Sequence, residues 1–102
     1  MNKNESKELR GAILTICKVS YPGGVSHQVI TMTLRGAQFN TSPTVIDGHI
    51  KYLEEKGYVR QKEIKCDDTG LARQLVYITP EGLDLVDGNI PSDPGIMIPE
   101  TE

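Results

Sequence analysis

Twice in this chain a hydroxyl residue stands directly before a proline at the head of an apolar run, at Ser42-Pro43 and at Thr79-Pro80. A Ser or Thr oxygen can accept from the free amides of a first helical turn, and proline at the first helical position lacks only a donor that would go unpaired anyway. Each pair therefore sets a helix start. Between them, Lys56-Gly57 supplies a basic last turn and a glycine that close the first of these helices. Residues 58–65 and 71–78 then read as two strands around Cys66-Asp67-Asp68-Thr69-Gly70, whose Asp, Thr and Gly are turn formers. The second half of the chain is thus a helix, a β-hairpin and a short helix.

Upstream, Leu9, Ile13, Ile16 and Cys17, with Ala12 and Val19 beside them, recur at helical spacing and predict a helix from residue 5 to about 19. Tyr21-Pro22-Gly23-Gly24 stops it. Ser26 can cap a second, short helix to about residue 34 that buries Val29, Ile30 and Leu34, with Gly36 at the position of a left-handed terminator. The third helix, about 42–56, carries Ile46, Ile50 and Leu53 on one stripe with His49 at its edge, and the last, 81–87, has Leu83, Leu85 and Val86. A chain of 102 residues builds one core. We expect an α+β, mainly helical domain over 1–87 followed by an extended, acidic, proline-containing tail over 88–102. The order of three helices, a two-stranded hairpin wing and a short C-terminal helix is that of a winged helix-turn-helix.

The charge of -3 speaks against tight binding of nucleic acid through bulk charge alone. It averages two unlike regions, however. Residues 81–102 hold six acids and no Lys or Arg, whereas residues 1–80 hold 11 basic and 8 acidic groups. A modestly basic body can meet phosphate, and an acidic tail near it would compete with DNA. The polar start, Met1 to Glu8, offers no apolar signal segment, and the apolar runs fall far short of the ~20 residues that span a bilayer, so a cytoplasmic protein without membrane contact is expected.

Cofactor and enzyme chemistry find no foothold. Cys17, Cys66, His27 and His49 are the only soft ligands, and no close pair such as CxxC or HxxxH occurs among them, so neither a disulfide framework nor a zinc site is expected. Cys17 reads as a core residue, and His49 as a stripe-edge residue that would titrate near neutrality if exposed. There is no GxSxG, P-loop or GxGxxG. The chain is not expected to be an enzyme.

The segments Ile50-Lys51-Tyr52-Leu53-Glu54-Glu55-Lys56-Gly57-Tyr58-Val59-Arg60 and Val76-Tyr77-Ile78-Thr79-Pro80-Glu81-Gly82 resemble winged-helix regulators of the MarR, PadR and ArsR type. In those families the first stretch is the end of the recognition helix entering the wing, and the second leads from the wing into the next helix. The stretch from Asp87 to Ile96 also looks like the ending of small winged-helix proteins of Mu-like prophages. The resemblance implies a sequence-specific DNA-binding protein, a small bacterial or prophage transcription regulator, with residues 42–56 in the major groove and the wing, 58–78, on the backbone. Such regulators dimerise through long terminal helices, which neither the start nor the proline-bearing end of this sequence is expected to supply. The alternative is a winged-helix protein-protein interaction module, such as a phage assembly component, that binds no DNA.

At about 100° per residue, Thr44, Gly48, Lys51 and Glu55 fall opposite the Ile46 stripe. Thr44 could meet a thymine methyl and Lys51 a guanine edge or phosphate. Gly48 disfavours a helix by about 1 kcal/mol, which close approach of a DNA strand would offset; a tolerated neutral substitution explains it as well. Arg60, Lys62, Lys65 and Arg73 could neutralise phosphates from the wing, or could serve to keep an exposed hairpin edge from pairing. Asn40, Thr41 and Ser42 could hold a phosphate at the start of the third helix, although capping alone explains Ser42. Ile90, Ile96, Met97 and Ile98 make the tail too apolar to be merely solvated. It docks either on its own domain as a strap or on a neighbour as the means of forming a homodimer.

Overall fold

The structure is a computed structural model, described over residues 2–65 and 68–99. The Asn2 side chain accepts from the Glu5 amide and opens α1, Lys3–Ser20, which buries Leu9, Gly11, Ile13, Leu14 and Cys17. Leu14 joins the face expected from the sequence, while Val19 leaves it and stands 83% exposed at the helix end. After the turn at 21–24, β1, Val25–Ser26, makes a short strand that periodicity could not show. Ser26 then caps α2, His27–Gly36, accepting from the Val29 amide at 3.2 Å.

Helix α2 differs from expectation in two ways. Ile30 and Leu34 are buried, but Val29 is 49% exposed and lies off the face that packs against the rest of the domain. Gly36 is still helical, and the left-handed residue is Gln38, at φ 72. The stop comes two residues late, with the Phe39 amide reaching back to the Leu34 carbonyl at 2.9 Å. In contrast, α3, Pro43–Glu55, begins and ends as its sequence dictates. Ser42 accepts from the Val45 amide at 3.3 Å, and Gly57 takes the left-handed turn at φ 84 that leads into β2, Val59–Lys65.

β2 pairs antiparallel with β3, Ala72–Ile78, in a register running from Val59 opposite Ile78 to Lys65 opposite Ala72. β1 pairs with the other edge of β3, so the hairpin is part of a three-stranded sheet in the order β1-β3-β2. Thr79 caps α4, Pro80–Asp87, by accepting from the Gly82 amide, and its hydroxyl donates to the Gly57 carbonyl at 2.7 Å. One side chain therefore fastens the end of the wing to the end of α3.

The core joins Leu9, Ile13, Leu14 and Cys17 of α1 to Ile30 and Leu34 of α2, Ile46, Ile50 and Leu53 of α3, and Val59, Val76 and Ile78 of the sheet. Ile96 belongs to the same core, and Ile90 and Ile98 pack against it. The tail thus lies on its own domain. It crosses α1 where the Met97 amide donates to the Lys7 carbonyl at 3.0 Å. A methyl group on Gly11 would overlap the Met97 carbonyl, so the crossing requires a glycine there.

Candidate nucleic-acid interface

Burial of Ile46, Ile50 and Leu53 turns the opposite face of α3 outward, and Thr44, Gly48, Lys51 and Glu55 are all exposed on it. Lys51 is 65% exposed at its side chain and lies 3.5 Å from Glu54, a loose pairing that leaves the ammonium able to meet another group. No atom comes within 4 Å of the position a Gly48 side chain would take, so nothing within the described fold requires a glycine there.

Asp47, next to this face, was not singled out by the sequence. It is bound across elements: His27 Nδ1, at the start of α2, donates to Asp47 Oδ1 at 2.8 Å. His27 Nε2 lies 2.7 Å from Gln61 Oε1 on β2, and Gln61 Nε2 donates to Glu54 Oε1 at 3.3 Å, back on α3. Residues of α2, α3 and the wing thereby close a ring of polar contacts at the rim of the outward surface. A cleft of about 390 Å³ opens beside it between α2 and α3, lined by His27, Gln28, Thr31, Met32, Arg35 and Asp47 among others.

Opposed residues of an antiparallel pair share a face. The register thus places Arg60, Lys62 and Arg73 together on one face of the wing, with Tyr77 and Leu75. Lys65 falls on the other, opposite Ala72 and in line with Gln61 and Glu63. Arg60 is braced over the Tyr77 ring, 5.2 Å from its centroid. Arg73 lies beyond the end of β1 and lines a hollow with Ser26, His27, Gln28 and Gln74, at the start of α2. The four wing cations are therefore three and one, and one of the three belongs as much to α2 as to the wing.

Asn40 and Thr41 are placed differently from Ser42. They line a cleft of about 410 Å³ shared with Glu5 and Glu8 of α1, and two carboxylates there oppose a phosphate. Ser42 is engaged as the cap of α3.

The sequence matches no known family model and no curated protein. The structure is similar to that of Bacillus subtilis PadR solved in complex with operator DNA, with 26% sequence identity and a TM-score of 0.62. The fold is a winged helix. The likeness covers 92% of this chain and 51% of that one, so the chain spans about half the length of that PadR.

Arg10 of α1 supports α3 from the flank that carries His49 and Tyr52. Its Nε donates to His49 Nδ1 at 3.2 Å, its guanidinium lies 3.8 Å from the centroid of Tyr52, and a terminal nitrogen donates to the Gly95 carbonyl at 3.1 Å. His49 is half-buried, and burial together with the Arg10 charge holds it below its ordinary value, where an exposed position would have left it near neutrality. Cys17 has no exposed surface, and burial pushes its thiol up to about 12. Among the described residues no three His, Cys, Asp or Glu side chains gather as a metal site would need, and no helix is long and apolar enough to cross a membrane.

Proposed function

We propose that this chain is a sequence-specific DNA-binding regulator that sets α3 into the major groove and lays its wing along the backbone. The observation that carries this reading is the likeness, over 92% of the chain, to a PadR held on its operator, joined to an α3 whose outward face is exposed from Thr44 to Glu55. Lys51 is the central contact of that face. Arg60, Lys62 and Arg73 supply phosphate contacts from one side of the wing, and Lys65 supplies one from the other. At the start of α3, capped by Ser42, the first-turn amides that the cap leaves free meet the backbone, while Asn40 and Thr41, in the cleft with Glu5 and Glu8, contribute little.

The reading extends to a cytoplasmic regulator of bacterial or prophage type acting as a dimer on paired half-sites. Tail exchange between two copies would provide the dimer, since the contacts that residues 89–99 make with their own α1 could equally be made with a neighbour's. Deleting the residues after Asn89 and measuring mass in solution tests this: an unchanged oligomer removes the tail from the account.

Binding to random-sequence duplex at low salt tests the main reading. Lys51→Ala and the pair Arg60→Ala, Lys62→Ala are expected to weaken it, and the pair should also flatten its salt dependence, because each lost phosphate contact releases fewer counterions. Negligible affinity for every duplex at low salt, or indifference to these changes, defeats the reading. Recovery of one protein partner and no DNA in a pull-down would favour the rival, a winged helix that docks protein.

A further inference from the structure

Asp47 is an odd residue to find at the edge of a face that meets phosphate. A carboxylate there repels every DNA sequence alike, and the effect is offset only where a base presents a donor to it. Two major-groove groups do so, the cytosine N4 amino group and the adenine N6 amino group. The adenine amino group lies between two acceptors, its own N7 and the O4 of the paired thymine, both of which repel a carboxylate. The cytosine amino group has one acceptor neighbour, guanine O6, so cytosine is the better partner.

The surroundings of Asp47 suit such a role. Its side chain is 55% exposed, yet Oδ1 is fixed by the His27 ring, which is itself held from its far edge by Gln61. The other oxygen, Oδ2, makes no hydrogen bond among the described residues. A carboxylate pinned at one oxygen and open at the other offers a single acceptor in a set direction, with little rotamer freedom left to lose on binding. His27 comes from α2 and Gln61 from the wing, so the direction is set by the same elements that frame the surface.

Resting on the DNA reading above, we propose that Asp47 is a specificity-determining residue, reading a cytosine amino group through Oδ2, with His27 as the residue that positions it. The cytosine is read at one position of each site and should be favoured there roughly five- to tenfold over the other bases.

Selection of bound fragments from random duplex DNA at low salt, run in parallel on the full chain and its variants, tests this. Asp47→Ala should lose the cytosine at one position, keep the rest of the motif, and bind random DNA more tightly than the unaltered protein. Asp47→Asn should shift that position from cytosine towards adenine, which an amide can match at N6 and N7. His27→Ala should blur the same position, and His27→Asn, which keeps a donor on the short side chain, should restore it. An unaltered chain that binds a motif which Asp47→Ala leaves intact at every position overturns the assignment while sparing the DNA reading, whereas binding with no motif at all overturns the assignment together with the sequence specificity of that reading. A chain that binds no duplex overturns both. Melting curves matching that of the unaltered protein establish that the variants fold.

Discussion

The Tyr58 hydroxyl, at the junction of α3 and β2, donates to Asp93 Oδ2 at 2.8 Å, joining the wing to a tail residue that is 8% exposed. Lys56 Nζ lies 2.9 Å from the same oxygen, and the Gly95 amide donates to the other at 2.8 Å. A buried carboxylate is unfavourable unless such partners surround it. Here they complete the seam between the tail and the base of the wing.

Burial by itself would raise the Asp93 carboxyl, but the bonds from the Gly95 amide, Lys56 and Tyr58, with the Lys56 charge, outweigh it and hold the group below its ordinary value of 3.8. A depressed folded value means that stability is full above 3.8 and is lost as pH falls through the lower folded value. Asp93→Asn should flatten this acid limb. Asp93→Ala should also lower stability at neutral pH by about 1–3 kcal/mol, the range for leaving a buried hydrogen-bond partner such as the Tyr58 hydroxyl unsatisfied. Urea unfolding at several pH values measures both effects, and equal acid limbs in the two proteins would exclude Asp93 as their source.

His49 titrates below its ordinary 6.5 because it is half-buried and Arg10 lies against it. The unfolded chain therefore takes up this proton first. Its contribution is full above 6.5 and declines as pH falls towards the lower folded value. Between about pH 7 and pH 5, His49→Gln, which can still accept from Arg10, should lose less stability than the unaltered protein. An NMR titration of the ring gives the folded value directly.

Two glycines should respond in opposite directions. Gly48→Ala meets no atom within 4 Å and should stabilise α3 by about 1 kcal/mol. If it also weakens DNA binding, the missing side chain serves the contact with DNA and not the fold. Gly11→Ala places a methyl group against the Met97 carbonyl, where no rotamer can relieve the overlap, and should destabilise by about 1–3 kcal/mol. Faster proteolysis of the tail, with α3 still protected from hydrogen exchange, would locate that damage at the crossing.

Cys17 should be inert. Fully covered and with its thiol pushed up to about 12, it has almost no thiolate at neutral pH. In a Cys66→Ser background, an aromatic disulfide reagent should react only after denaturant is added. Prompt labelling of the folded protein would show that the core opens at α1.

What the sequence made legible follows from the range of the forces involved. The starts of α3 and α4 depend on a cap and a proline adjacent in the chain, so both could be read directly, as could the stripe of Ile46, Ile50 and Leu53. β1 could not, because two residues have no period and Val25 and Ser26 are strand only through Val76 and Leu75. The end of α2 was misplaced because Gly36 is the more permissive residue, whereas the backbone bond from Phe39 to Leu34 puts the left-handed turn at Gln38. At the candidate interface, Lys51 and the shared parity of Arg60 and Lys62 were readable within single elements. The contacts of Asp47 were hidden because His27 and Gln61 reach it from different elements, and helical spacing carries no information about such partners.

The place of Ile96 has a consequence for how the chain matures. Leu9 begins the core and Ile96 is one of the residues that closes it. Residues up to Gly88 supply α1 to α4 and both strands of the wing, yet without the tail Arg10 and Tyr58 lack Gly95 and Asp93. Helices can form as they emerge from the ribosome, but this seam closes only after synthesis has passed the tail crossing. The outward surface therefore gains this support last, only when the tail is free to fold back across α1.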